Sequence, residues 1–236
     1  MNKRFVFFGR QKEVEQLGAL HALRKYVLIV GPAGIGKTAL LQLIRQHCPL
    51  LLCEETSSLR RICDSIEREL GWTYHKLNVI ARKNKLLAQL EKRGELVVFD
   101  HVAHTPPRVA RFIAFLAAKI PVWIACRADH PHEIGHIWPE LYKFVRVEIL
   151  PLTPAETRAI VEQAATLGNI QADAQAHADQ LHRMCGGSPR ILKELLIELG
   201  TRRYRIDGAF GLDLLELDRR IHEIDLSIRA TADAKK

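Results

Sequence analysis

Five short, largely apolar runs punctuate the chain: Tyr26–Val30, Leu50–Cys53, Glu95–Phe99, Pro121–Ala125 and Val145–Ile149. Between them lie amphipathic stretches, Lys37–Cys48, Ser58–Leu70, Asn78–Lys92 and Pro107–Lys119, and ahead of the first run Val14, Leu17, Leu20 and Leu23 recur every three residues over Arg10–Leu23. Short runs rich in branched apolar residues predict buried parallel strands, and their alternation with helical spacing predicts an α/β, doubly wound sheet. The pattern changes at Leu150-Pro151-Leu152-Thr153-Pro154, beyond which all spacing is helical. Thr153 with Glu156 three residues on reads as a helix start, and Asp173 is expected to cap a second helix that ends at Gly186-Gly187. Ser188-Pro189 is expected to open a third, running to Leu199. These signals divide the chain into an α/β domain over 1–150, a small all-helical lid over 151–200 and a helical extension over 201–236. The extension carries Leu212, Leu215, Ile221, Ile224 and Ile228 at helical spacing.

The first strand runs directly into Gly31-Pro32-Ala33-Gly34-Ile35-Gly36-Lys37-Thr38, which fills every position of G-x-x-x-x-G-K-[ST]. Glycines let backbone N–H groups close around phosphate oxygens, and the helix that follows adds the positive end of its dipole. Lys37 is expected to reach the β- and γ-phosphates, and the Thr38 hydroxyl to hold Mg²⁺. The chain is therefore expected to bind ATP with Mg²⁺, on a parallel-sheet P-loop NTPase core. The metal shell needs a carboxylate at the end of a neighbouring buried strand, and Leu96-Val97-Val98-Phe99-Asp100 supplies Asp100. His101 stands next, where many such ATPases place a glutamate that orients water, so slow turnover is expected.

The 236 residues suffice for a large core, and no apolar run is long enough to span a membrane or act as a secretory signal. With five scattered cysteines and no C-x-x-C pair, the expectation is a soluble, cytoplasmic protein with reduced thiols. The net charge of +8 is modest, but from Ser57 to Arg93 nine bases face four acids. That excess fits either a solvated helix face or a patch that contacts DNA phosphates. His101, His104, His130, His132 and His136 fall in loops without a ligand set at metal spacing.

The chain resembles the AAA+ and STAND group of P-loop ATPases over about residues 5–200. Phe8-Gly9-Arg10-Gln11-Lys12-Glu13 is similar to the F-x-G-R-x-x-E box of this group, and Cys185-Gly186-Gly187-Ser188-Pro189-Arg190 to the G-x-P-R lid motif of archaeal-type ATPases and bacterial branch-migration motors. The resemblance implies that Gly9 and Arg10 flank the adenine, that Pro189 packs near the base and that Arg190 reaches the γ-phosphate from the lid. It also marks Val122–Arg127 as the first-sensor strand. Cys126 is a poor donor there, and Arg127 either takes over the sensing or is a surface arginine at a strand end. Lys143 stands where oligomeric motors carry an arginine finger. The output has three readings: an assembling loader or motor on DNA, a STAND-like signalling or transposition-regulator switch with self-association or a protein partner, or a non-hydrolysing scaffold.

Overall fold

A computed structural model describes residues 10–72, 77–170, 172–201 and 212–221. Gly9 and the first half of its motif, Lys76, Ile224 and Ile228 lie outside the described residues. The elements are α1 (Gln11–Ala22), β1 (Val27–Val30), α2 (Lys37–Arg45), β2 (Leu50–Cys53), α3 (Leu59–Leu70), α4 (Val79–Arg93), β3 (Leu96–Val102), α5 (Pro107–Ala117), β4 (Val122–Cys126), α6 (Pro131–Ile134), β5 (Val145–Glu148), α7 (Pro154–Thr166), α8 (Ala178–Cys185) and α9 (Pro189–Gly200). Two 3₁₀ segments, Trp138–Lys143 and Ala172–His177, and a helix over 212–221 complete them. Contacts group the chain into two compact units, one from Arg10 to Leu150 and one from Pro151 onward.

In the first unit all five strands pair in parallel, in the order β2-β3-β4-β1-β5. The period of two sorts each strand between two cores. Val27, Ile29, Leu50, Leu52, Val98 and Trp123 face α1 and α2, while Leu28, Val30, Leu51, Val97, Phe99 and Ile124 face α3, α4 and α5. Because both faces are covered, the strands read as continuous apolar runs, which is why the sequence reveals them. Strand order is not legible in such runs: β4 lies between β1 and β3, so the strand that ends in Asp100 is not the immediate neighbour of β1. At the β5 edge Val145, Arg146 and Glu148 are exposed, and Arg146 bonds Asp129 and Glu148 at 2.7 and 2.8 Å. Charges on an edge strand discourage pairing with another chain.

The second unit is helical. Thr153 and Glu156 form a reciprocal capping box on α7, and the Ser188 side chain caps α9. Leu152, Val161, Leu181, Leu192, Leu195, Leu212 and Leu215 share its core. The position expected to cap the second helix, 173, falls inside a 3₁₀ segment that starts at Ala172, and α8 begins only at Ala178, after His177. No described helix is long and apolar enough to cross a membrane.

Candidate functional site

The phosphate loop joins β1 to α2 through Gly36, whose left-handed backbone (φ 95°) serves as an N-cap with no side-chain hydrogen bond. By contrast, α3, α4, α7 and α9 each begin with a side chain, Ser58, Asn78, Thr153 or Ser188, that accepts from a first-turn amide. The first-turn N–H groups of a helix have no intrahelical acceptor, so α2 presents its amides and its dipole to an external anion.

Lys37 enters this loop nearly buried, at 8% exposure. Its ammonium donates to the carbonyls of Gly31 and Pro32, at 2.5 and 3.0 Å. Burial pulls its pKa below the ordinary value; the Asp100 charge works against that shift, and the Arg127 charge works with it. A desolvated cation whose hydrogen-bond partners are neutral carbonyls is poorly neutralised and suits an incoming phosphate.

Asp100 is fully buried near the end of β3, two residues before Val102. Its Oδ2 accepts from the Thr38 hydroxyl at 2.6 Å, and its Oδ1 accepts from the His101 amide at 2.7 Å. Phe99 pairs with Ile124 but Val102 with Cys126, so β3 gains one residue on β4 at Asp100-His101. This bulge places His101 in the left-handed region, φ 54°, with its ring exposed. Bulges of this kind re-aim side chains beside active sites, and a non-glycine residue held there costs about 1 kcal/mol or more. His101 Nε2 lies 3.4 Å from the Thr38 hydroxyl and 3.5 Å from Asp100 Oδ2. A hydroxyl and a carboxylate that meet at one point form a hard-oxygen pair, the donor chemistry that Mg²⁺ takes.

Two features of this end of the sheet escape the sequence. Thr56, nearly buried, donates its hydroxyl to the His101 carbonyl at 3.4 Å and so holds the bulge. Thr105, 1% exposed, stitches the loop after β3 to the loop after β4. Its amide and hydroxyl donate to Ile134 O at 2.8 and 2.6 Å, and its carbonyl and hydroxyl accept from His136 and Ile137 amides at 3.0 and 3.1 Å. A lone threonine before Pro106-Pro107 carries no recognisable signal for this role; only the burial of its hydroxyl reveals it.

Cys126, in the first-sensor strand, turns its thiol into the sheet toward Ile29 O at 3.8 Å, and burial pushes it up to about 12. Arg127, the next residue, is exposed, and its charge is felt at Lys37. Lys143 is exposed and bonds Glu140 at 2.6 Å. In the second unit Pro189 occupies the first turn of α9, and the exposed Arg190 guanidinium bonds Glu194 one turn on, at 3.0 Å.

The base-rich segment has a different character from the one its charge count suggests. Arg82 is 4% exposed, and its guanidinium bonds Glu67 at 2.7 Å and also Asp64, which joins α4 to α3. Arg61 pairs with Glu55, and Arg93 with Glu95 at 2.6 Å. A buried, doubly neutralised arginine is structural, so Arg82 drops out of any phosphate-contacting patch.

The loop, the buried lysine and the threonine–aspartate pair make this the candidate nucleotide site, and the family follows. A model of novel STAND NTPase 1 matches residues 2–199. The chain belongs to that family. It is accordingly a STAND-type P-loop NTPase, a nucleotide-binding class. Among solved structures, a signal transduction ATPase with numerous domains (STAND) and a tetratricopeptide repeat sensor, from Pyrococcus horikoshii, is 18% identical; the match covers 81% of this chain and 30% of that one, with a TM-score of 0.51. The Aeropyrum pernix Orc1 protein, solved in complex with DNA, is 16% identical over 86% of this chain and 63% of its own, with a TM-score of 0.62. A RuvB mutant from Thermotoga maritima is 19% identical over 80% and 62%, with a TM-score of 0.55. These likenesses show the fold, and the chain spans less than two thirds of each relative's length. No curated protein sequence matches significantly.

Proposed function

We propose that the protein is a slowly hydrolysing, ATP-dependent switch whose helical unit responds to the γ-phosphate. The observation that carries the reading is Lys37, a buried cation that, among the described residues, hydrogen-bonds carbonyls and no carboxylate, beside the Thr38–Asp100 pair. Lys37 leaves the two carbonyls to neutralise the β- and γ-phosphates, and the uncapped amides of α2 hold their oxygens. Thr38 and Asp100 would hold Mg²⁺, which spreads the phosphate charge when bound. Gly9 and Pro189 serve the adenine in this reading, and Arg10, bonded to the Ile35 and Leu150 carbonyls, does not. His101, in the place of a catalytic glutamate, orients water poorly because its imidazole carries no fixed negative charge, and Arg127 supplies a cation at the γ-phosphate end.

The helical unit reads the nucleotide through Arg190, which exchanges its exposed partner Glu194 for the γ-phosphate. A surface ion pair is worth little, so the exchange is easy. The output is self-association or a protein partner. The loader reading on DNA is weaker, because Arg82 is committed to Glu67 and Asp64. Titration with ATP and with ADP tests the switch. Arg190→Ala should bind ADP nearly as wild type does and lose about tenfold in preference for ATP, the worth of one charge-assisted bond. An unchanged ATP/ADP affinity ratio removes Arg190 from the mechanism.

A further inference from the structure

The four residues at the boundary between the two units, 149–152, are held on both sides. On the loop side the Ile149 amide donates to Val30 O at 2.7 Å, and a Cβ at Gly31 would stand 2.8 Å from Ile149 O, so loop and linker touch backbone to backbone. Arg10 tightens this contact. It is 3% exposed, and one guanidinium nitrogen, Nη2, donates both to Leu150 O at 2.6 Å and to Ile35 O in the phosphate loop at 3.5 Å. Nη1 bonds Glu13 at 2.8 Å, and the buried Nε has no partner among the described residues. On the helical side the Leu152 amide donates to Gly187 O at 2.8 Å. A Cβ at Gly187, whose φ is +72°, would lie 2.6 Å from Leu152 O and 2.8 Å from Pro151 Cβ. The residue after Gly187 is Ser188, the cap of α9. Pro151 stiffens the middle of the linker by fixing its own φ.

We infer that Arg10 is a positioning residue that couples the phosphate loop to the start of α9 through this clamped linker. The inference rests on the loop being the nucleotide site. A phosphate that draws in the first-turn amides moves the Ile35 carbonyl. The same nitrogen that bonds Ile35 bonds Leu150, so the displacement passes to Leu150, Pro151 and Leu152 and then to Gly187. The long bond to Ile35 and the short bond to Leu150 make the loop the adjustable end and the linker the firm one. The sequence resemblance sets Arg10 beside the base; its guanidinium is aimed instead at two backbone carbonyls 115 residues apart in the chain, Ile35 and Leu150. A partner that is a carbonyl rather than a second carboxylate lets the contact shift without stranding a buried negative charge.

Hydrogen exchange on the full chain, without nucleotide and with Mg²⁺-ATP, tests this. In wild type, ATP should slow exchange in 31–40 and change it by about threefold or more in 149–153. In Arg10→Gln the response in 31–40 should persist while that in 149–153 is lost, and Arg10→Lys should restore part of it. Gly187→Ala interrupts the relay from the other side: 31–40 should respond, and the α9 start around Ile191 should not. An equal response of 149–153 in wild type and Arg10→Gln overturns the inference alone. So does a wild-type response confined to 31–40. No response in 31–40 overturns the nucleotide site and the inference with it.

Discussion

Two of the buried cations in the first unit, Arg82 and Lys37, are treated differently. Under α3 and α4, Arg82 meets two carboxylates, Glu67 and Asp64, and its charge is spent inside the fold. At the start of α2, the Lys37 ammonium hydrogen-bonds the carbonyls of Gly31 and Pro32 and, among the described residues, no carboxylate. The contrast separates a structural cation from one held for a ligand. Carboxylates neutralise a buried charge permanently, whereas carbonyls solvate it without cancelling it. Net charge along the sequence does not distinguish the two.

The largest effect is expected at the structural cation. Arg82→Ala leaves Glu67, itself almost fully buried, without its 2.7 Å partner. Breaking such a pair costs about 3–5 kcal/mol, whereas Arg82→Met with Glu67→Leu should lose far less, because the buried carboxylate is removed with its partner and Asp64 is part-exposed. Urea denaturation followed by circular dichroism reads both. If the single variant is as stable as wild type, the network is ornamental and the contrast with Lys37 fails.

A smaller effect, on rate, is expected at the bulge. His101→Glu should raise steady-state phosphate release by about tenfold or more, since a positioned general base contributes at least that much. His101→Ala should leave a slow rate nearly unchanged. A brisk wild-type rate abolished by alanine would make His101 itself the base.

The smallest effect concerns pH and sharpens the contrast directly. Burial holds the Lys37 pKa below its ordinary 10.5. On alkaline titration the folded chain therefore releases this proton before the unfolded chain does. Between the two values the unfolded chain binds more protons, so stability without nucleotide should rise with pH in a window that closes at 10.5. Nucleotide affinity should fall across the same window as the cation is lost. Thermal melts of wild type and Lys37→Met across that range should differ in slope, the variant lacking this rise; parallel curves would mean that the lysine is not desolvated as described.

Much of this was legible before the structure. The phosphate loop is a local device, so eight consecutive residues with the right flanks reveal it, and Asp100 follows because an acid that ends a run of four apolar residues is conspicuous. The helix starts at Thr153 and Ser188 are equally local, and each forms the bond its residue type predicts. What the sequence hides is tertiary. The place of β4 between β1 and β3, the bulge that turns His101 to φ 54°, and the Thr105 stitch depend on partners dozens of residues away. Arg82 misleads for the same reason: its carboxylates lie one helix away, at positions 64 and 67, and a charge count cannot see that they meet.

Calorimetric titration of Mg²⁺-ATP into wild type and Lys37→Ala tests the central claim most directly. The account predicts saturable binding by wild type and at least a tenfold weaker affinity in the variant, the loss of about 1.5–3 kcal/mol from one charge-assisted contact. Superimposable curves for the two proteins would contradict it.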